Sequence, residues 1–229
     1  MHVSDAFELV GILRQDPVES RQQGFVRELR AFFRRQGRSI IATLALGLTL
    51  TQAWDGERWD GELAELLTRR TTTVGLLGAQ AVLDRWARAG FTWSDQQLRD
   101  RLAENAARAA GAINNTTYNN VAAARMAGRS VNEVFLEAQA VRAPQQAQSQ
   151  TTFANSQGRQ TAADLVGLRS KTWRVTSRHP RDSHAALDGE TVGVNETFSN
   201  GARWPGDSNL SVDERANCQC VLEYSFEKP

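Results

Sequence analysis

Apolar side chains recur at three- and four-residue steps through most of the first 168 positions, the spacing of an amphipathic helix. Ser4 and Asp5 are cap residues for a first short helix carrying Phe7, Val10 and Leu13. Asp16 before Pro17 marks the start of a second helix, in which Phe25, Leu29, Phe32, Phe33, Ile40, Leu44 and Leu48 form one stripe. The apolar run from Ser39 to Leu50 reads as a buried helix segment. Between Thr51 and Gly61 the period is lost among turn formers, which predicts a connection. A third helix follows from about Glu62 to Ala89, with Leu63, Leu66, Leu67, Val74, Leu77, Ala81 and Val82 inward and Gly90 as its stop. Ser94 with Gln97 predicts a capping box for a fourth helix ending at Gly128, and Ser130 with Glu133 repeats the signature for a short fifth. Pro144 opens a last helix to about Leu168. Its run from Gln145 to Gln160 has few large apolar residues, which predicts packing on a partner or another subunit, or else a linker.

After Leu168 the pattern changes. Lys171–Thr176, Thr191–Val194 and Cys220–Phe226 alternate as strands do, while Ser199-Asn200-Gly201 and Trp204-Pro205-Gly206-Asp207 are turn sequences. The expected fold is therefore mainly α with a small C-terminal α+β module: an elongated helical body over residues 1–168, then a compact module of a few short strands over 169–229. Sixty residues with so few aliphatics make a weak core, so the module calls for a staple, a metal or a partner.

Composition narrows the function classes. A net charge of +1 gives no global attraction to nucleic acid or an anionic membrane, so any such contact must be local. No apolar stretch reaches the roughly 20 residues that span a bilayer, and no secretory leader pattern opens the chain. Locally, Arg27, Arg30, Arg34, Arg35 and Arg38 crowd the polar face of the second helix. They form either a solvated face or a docking surface for an acidic neighbour or packaged DNA.

Two of the three histidines, His179 and His184, and both cysteines, Cys218 and Cys220, fall in the C-terminal module. Two imidazoles and two thiolates suit a tetrahedral zinc ion that would pin the histidine loop to the last strand. The alternative is a reduced pair of small buried cysteines beside a structural histidine. A disulfide across one intervening residue would be strained. His184 lacks the His-x-Glu and Pro-Cys-x-x-Cys context of a zinc deaminase. A metal nuclease could draw on His179, Asp182, His184 and Asp188, but no second carboxylate cluster accompanies them. Neither a Gly-x-Ser-x-Gly elbow nor a Walker loop is present.

The ordered series Lys171-Thr172-Trp173, Ser177 to Gly189 (with His179, His184 and the Asp188-Gly189 turn), Phe198-Ser199-Asn200-Gly201, Trp204-Pro205-Gly206-Asp207 and Asn217-Cys218-Gln219-Cys220 resembles the C-terminal domain of phage minor head proteins, the Mu protein F-like family. The resemblance covers about the last sixty residues. It implies a non-enzymatic, low-copy virion protein of the capsid interior, made in the host cytoplasm. Its partners would be the portal protein or the major capsid protein, with packaged DNA a further candidate. Rival expectations are a metal-dependent nuclease or toxin-like effector, and a DNA-binding packaging factor.

Overall fold

The computed structural model describes the backbone of residues 3–229 and the side chains of residues 21–229. Its helices are α1 (Val3–Ala45), α2 (Leu50–Ala53), α3 (Gly56–Trp86), α4 (Gln96–Met126), α5 (Val131–Glu137), a π-helical turn (Ala138–Arg142) and α6 (Ala143–Val166). The strands β1 (Ser170–Arg174), β2 (Thr191–Gly193) and β3 (Val221–Ser225) follow, with two single-turn helices, α7 (Asp182–Ala185) and α8 (Val212–Arg215), between them. The mainly α architecture with a small C-terminal α+β module is the one the periodicity predicts.

Several boundaries differ from the sequence expectation, each for a local reason. The break expected at Pro17 is absent: α1 runs without interruption from Val3 to Ala45. The expected cap at Ser4 and Asp5 and the positions Phe7, Val10 and Leu13 lie outside the described side chains. Ser39–Leu50 is not one buried helix. The helix stops at Ala45, Gly47 adopts a φ of +83°, and Leu46 and Leu48 are exposed. The connection expected over Thr51–Gly61 shrinks to Trp54 and Asp55. Asp55 accepts the Arg58 N–H as the cap of α3, which brings Trp59 into the core. Neither Ser94 nor Ser130 closes a capping box: α4 starts after Asp95, and Ser130 makes no side-chain cap.

The polar helix α6 is the main surprise. It needs no second chain, and it is no linker. Ala147, Thr151, Thr152, Ala154, Ser156, Gln157, Gly158, Gln160, Ala162 and Ala163 are all buried within this molecule. Small residues let α3 and α6 approach backbone to backbone. A Cβ on Gly158 would lie 1.9 Å from the Gly75 carbonyl oxygen, and one on Gly78 would lie 2.5 Å from that of Asn155. Counting large apolar residues misses such an interface, because its burial comes from close backbone contact.

The strands pair antiparallel in the order β2-β1-β3, with Lys171 opposite Val192 and Tyr224, and Trp173 opposite Leu222. Residue 168 marks where helix gives way to strand, but burial does not stop there. One cluster joins Val74, Val82, Leu98 and Leu102 of α3 and α4, and Phe153, Ala162 and Ala163 of α6, to Trp173, Phe198, Trp204 and Leu222 of the module. The module is seated on the helical body through a shared core. A second cluster holds Phe25, Leu29, Phe32, Phe33, Trp59 and Leu63 between α1 and α3, and a third closes the far end around Ile40, Val121 and Phe135.

Hydrogen bonding explains why α6 is rich in Gln and Thr. The module has long irregular loops whose carbonyls lack strand partners, and buried carbonyls must be satisfied. Thr152 Oγ1 and Gln148 Nε2 donate to the Cys218 carbonyl at 2.5 and 3.4 Å, and Gln160 Nε2 donates to that of Val194 at 3.0 Å. Gln148 also accepts from Gln22 of α1 at 2.6 Å, tying the first helix to the same row.

Candidate metal centre

β1 carries Trp173 into the core, where its ring meets Phe198 and His184 edge-on at centroid distances of 5.1 and 5.8 Å. The chain then loops out through His179 and returns as α7, the single turn that points His184 inward. Opposite, α8 ends at Arg215, and Asn217 takes the left-handed conformation (φ +54°) that asparagine tolerates better than most residues. That kink turns Cys218 toward the ring, and Cys220, just before β3, falls on the same side.

His184, Cys218 and Cys220 are all buried, and their ligand atoms lie within 4.8 Å of one another, a group that can hold a metal ion. His184 Nδ1 is 3.5 Å from Cys220 Sγ and 3.7 Å from Cys218 Sγ. Metal–sulfur bonds of about 2.3 Å and a metal–nitrogen bond of about 2.0 Å at a tetrahedral angle would separate N from S by about 3.5 Å. The donor set thus fits a tetrahedral ion in type and spacing. The other ring nitrogen, Nε2, lies 3.0 Å from Glu214 Oε2, a charge contact out of line for a hydrogen bond. Glu214 is itself held by Ser183 Oγ at 2.9 Å and by the Ser211 cap of α8. A carboxylate behind a ligating imidazole fixes the ring and raises its basicity. Arg181 donates to the Ala216 carbonyl and pins the loop that carries Cys218.

The electrostatics favour one thiolate. The Cys220 thiol is pulled down to about 5, first by the hydrogen bond from Cys218, against burial, and then by His184. Cys218 is pushed up, because its neighbour takes the charge and burial adds to the effect. His184 is raised by its hydrogen bond to Cys220, partly offset by desolvation.

His179, expected as a fourth ligand, does not join the group. It is exposed, and its backbone N–H donates to Ser177 Oγ at 3.2 Å. The physical reason is its place ahead of α7, where Pro180 and the outward loop carry it away from the sulfurs. The turn residues hold the surroundings: Asp188 Oδ1 accepts the Val175 N–H at 2.9 Å across the Gly189 turn. Buried Asp207 accepts the N–H groups of Arg203 and Asn209; Pro205 is buried, and Gly206 (φ +80°) lies so near Phe153 that a Cβ there would meet its backbone nitrogen at 3.1 Å. On α1, Arg27, Arg30, Arg34, Arg35 and Arg38 are all exposed; Arg35 pairs with Glu62 at 3.3 Å, and Arg30 donates to the Gln139 carbonyl at 3.1 Å.

Sequence reasoning missed Glu214, for which no motif exists, and Lys171, for which a signal was present. Lys171 shares its strand face with Trp173, so alternation buries both, and only 1% of Lys171 is exposed. Its ammonium lies 5.5 Å from the Phe198 ring centroid. Desolvation pulls Lys171 down to about 8, with Asp164 opposing the shift. Below that value the folded state holds a charge that burial disfavours, and between about 8 and 10.5 the unfolded chain binds the proton more tightly. Stability therefore rises with pH across that window. Lys171→Met removes the penalty: denaturant midpoints at pH 7 should rise by the equivalent of about 1–3 kcal/mol, and the slope between pH 8 and 10 should flatten. An unchanged slope would show that the ammonium is solvated in the folded state.

No family model matches the chain, and no solved structure matches it. Part of the chain is similar to the uncharacterized protein YqbB of Bacillus subtilis (strain 168), 38% identical over 68 residues that make up 26% of this chain and 22% of that protein. The match spans about a fifth of that relative's length. Among the described residues, no helix is long and apolar enough to cross a membrane.

Proposed function

We propose that this protein is a minor head protein of a tailed bacteriophage, acting by protein contact rather than by catalysis, with a zinc ion as the staple of its C-terminal module. In this reading it joins the portal or the major capsid protein in the host cytoplasm, in several copies, and stays inside the capsid to serve head assembly and DNA delivery.

One observation carries the reading: the motif elements, scattered over residues 171–220, converge on a single core. Trp173 touches both Phe198 and His184, His184 faces both thiols, and Leu187 and Trp204, beside the Asp188 and Asp207 turns, belong to the same core. Such convergence supports reading the series as one structural unit. Two sulfurs and an imidazole favour zinc over the oxygen-seeking cations of most phosphodiesterases, and a buried group with a carboxylate behind its imidazole suits a structural ion.

Co-expression with the portal and capsid proteins of its own genome tests the assignment. Size-exclusion chromatography should yield a stable complex with one of them, and purified heads should contain the chain. Heads assembled without it, together with failure to bind either protein, would overturn the reading.

A further inference from the structure

The described part of α1 from Arg21 to Ala45 carries six arginines and one glutamate, and the glutamate is already used: Glu28 pairs with Arg69 at 2.7 Å and with Arg70. On a helix of 3.6 residues per turn, Arg27, Arg30, Arg34 and Arg38 fall within an arc of about 80° and extend over about 16 Å of axis. Arg35 lies off this arc, toward α3, where Glu62 holds it. All four ridge arginines are exposed, and Arg27, Arg34 and Arg38 have no ion pair among the described residues. The acids nearest along the adjoining helix α5, Glu133 and Glu137, make no ion pair with them either. Among the described residues, the other exposed ones on the arc are Gln23 and Ala45.

We propose that this ridge docks on the phosphate backbone of a nucleic-acid duplex, without reading its bases. Protein partners are gripped by aromatic and aliphatic anchors in desolvated pockets, and the ridge offers none. Single strands are held by stacking on aromatic rings, which are also absent from the described part of the arc. Guanidinium groups three and four residues apart along one face of a helix match the remaining chemistry: they pair with phosphates, release counterions and carry no sequence information. The site lies on a different element from the metal centre, so its failure would leave the head-protein reading standing, and the converse holds too.

Fluorescence anisotropy with the full chain and labelled 30-base-pair duplexes of random sequence, DNA in one arm and RNA in the other, tests the proposal. Affinity should fall about a hundredfold between 50 and 200 mM salt, the log–log slope of about −3.6 that four phosphate contacts give on B-DNA. Replacing all four by glutamine should abolish binding with the far-UV circular dichroism unchanged, whereas four lysines should retain it. Arg99→Gln and Arg108→Gln on α4 should change nothing. Binding to either duplex supports the ridge. Absence of binding at 50 mM salt, undiminished binding by the folded glutamine variant, tighter binding to single strands, or tighter binding to polyglutamate would each overturn it.

Discussion

Chelation of the purified protein, or Cys220→Ser, is expected to unfold the C-terminal module. Structural zinc in small finger peptides is worth about 10–16 kcal/mol of apparent binding free energy, as much as the 5–15 kcal/mol that holds a typical domain together. Without the ion, the histidine turn and the cysteine kink are joined by two N···S contacts and by the polar contacts of Arg181, Ser183 and His184 with Ala216 and Glu214. Elemental analysis should find one zinc per chain. Removing it should abolish the near-ultraviolet signal of Trp173, whose packing against His184 depends on the ring's position. His179→Ala should leave both metal content and melting temperature unchanged, because that side chain is exposed and outside the group. A metal-free protein with an intact Trp173 signal would remove zinc from the account and leave the thiols as ordinary core residues.

Among the described glycines, Gly158→Ala should be the most damaging substitution. The new Cβ would meet the Gly75 carbonyl oxygen at 1.9 Å, and it is backbone on both helices that would have to yield. Overpacking normally costs about 1–3 kcal/mol, but a clash between backbones has no rotamer to absorb it. A loss above about 4 kcal/mol is expected, read as a large drop in the urea midpoint or as insoluble protein. Gly61→Ala, on an exposed turn of α3 where a Cβ meets nothing within 4 Å, should be neutral or slightly stabilising. Similar midpoints for the two variants would mean that α3 and α6 are not in contact at that crossing.

Much of the fold was legible because two signals were strong. Helical period with Gly90 and Gly128 as stops placed the ends of α3 and α4, and alternation placed all three strands to within a residue or two. The metal group was legible from rare residue types pooled in one module, although sequence spacing could not say that His184 turns inward and His179 outward. That difference is made by a single helical turn. The seating of α6 was not legible, since its interface is built from Gly, Ala, Thr and Gln. Those residues read as solvent-facing until the carbonyls they satisfy are known. Glu214 was equally hidden, because it reaches His184 from a short turn thirty residues downstream.

The row of donors that α6 extends to the loops beyond it limits how the chain can be recombined. Grafting the last sixty residues onto a foreign stalk would succeed only if that stalk supplied an amide near position 160 and a hydroxyl near 152, with a bare groove for the Gly206 turn. Severed after residue 168, the helices would in turn expose Phe153, Ala162 and Ala163 as a sticky strip. Tip and stalk are therefore a matched pair, and exchange between relatives should move them together.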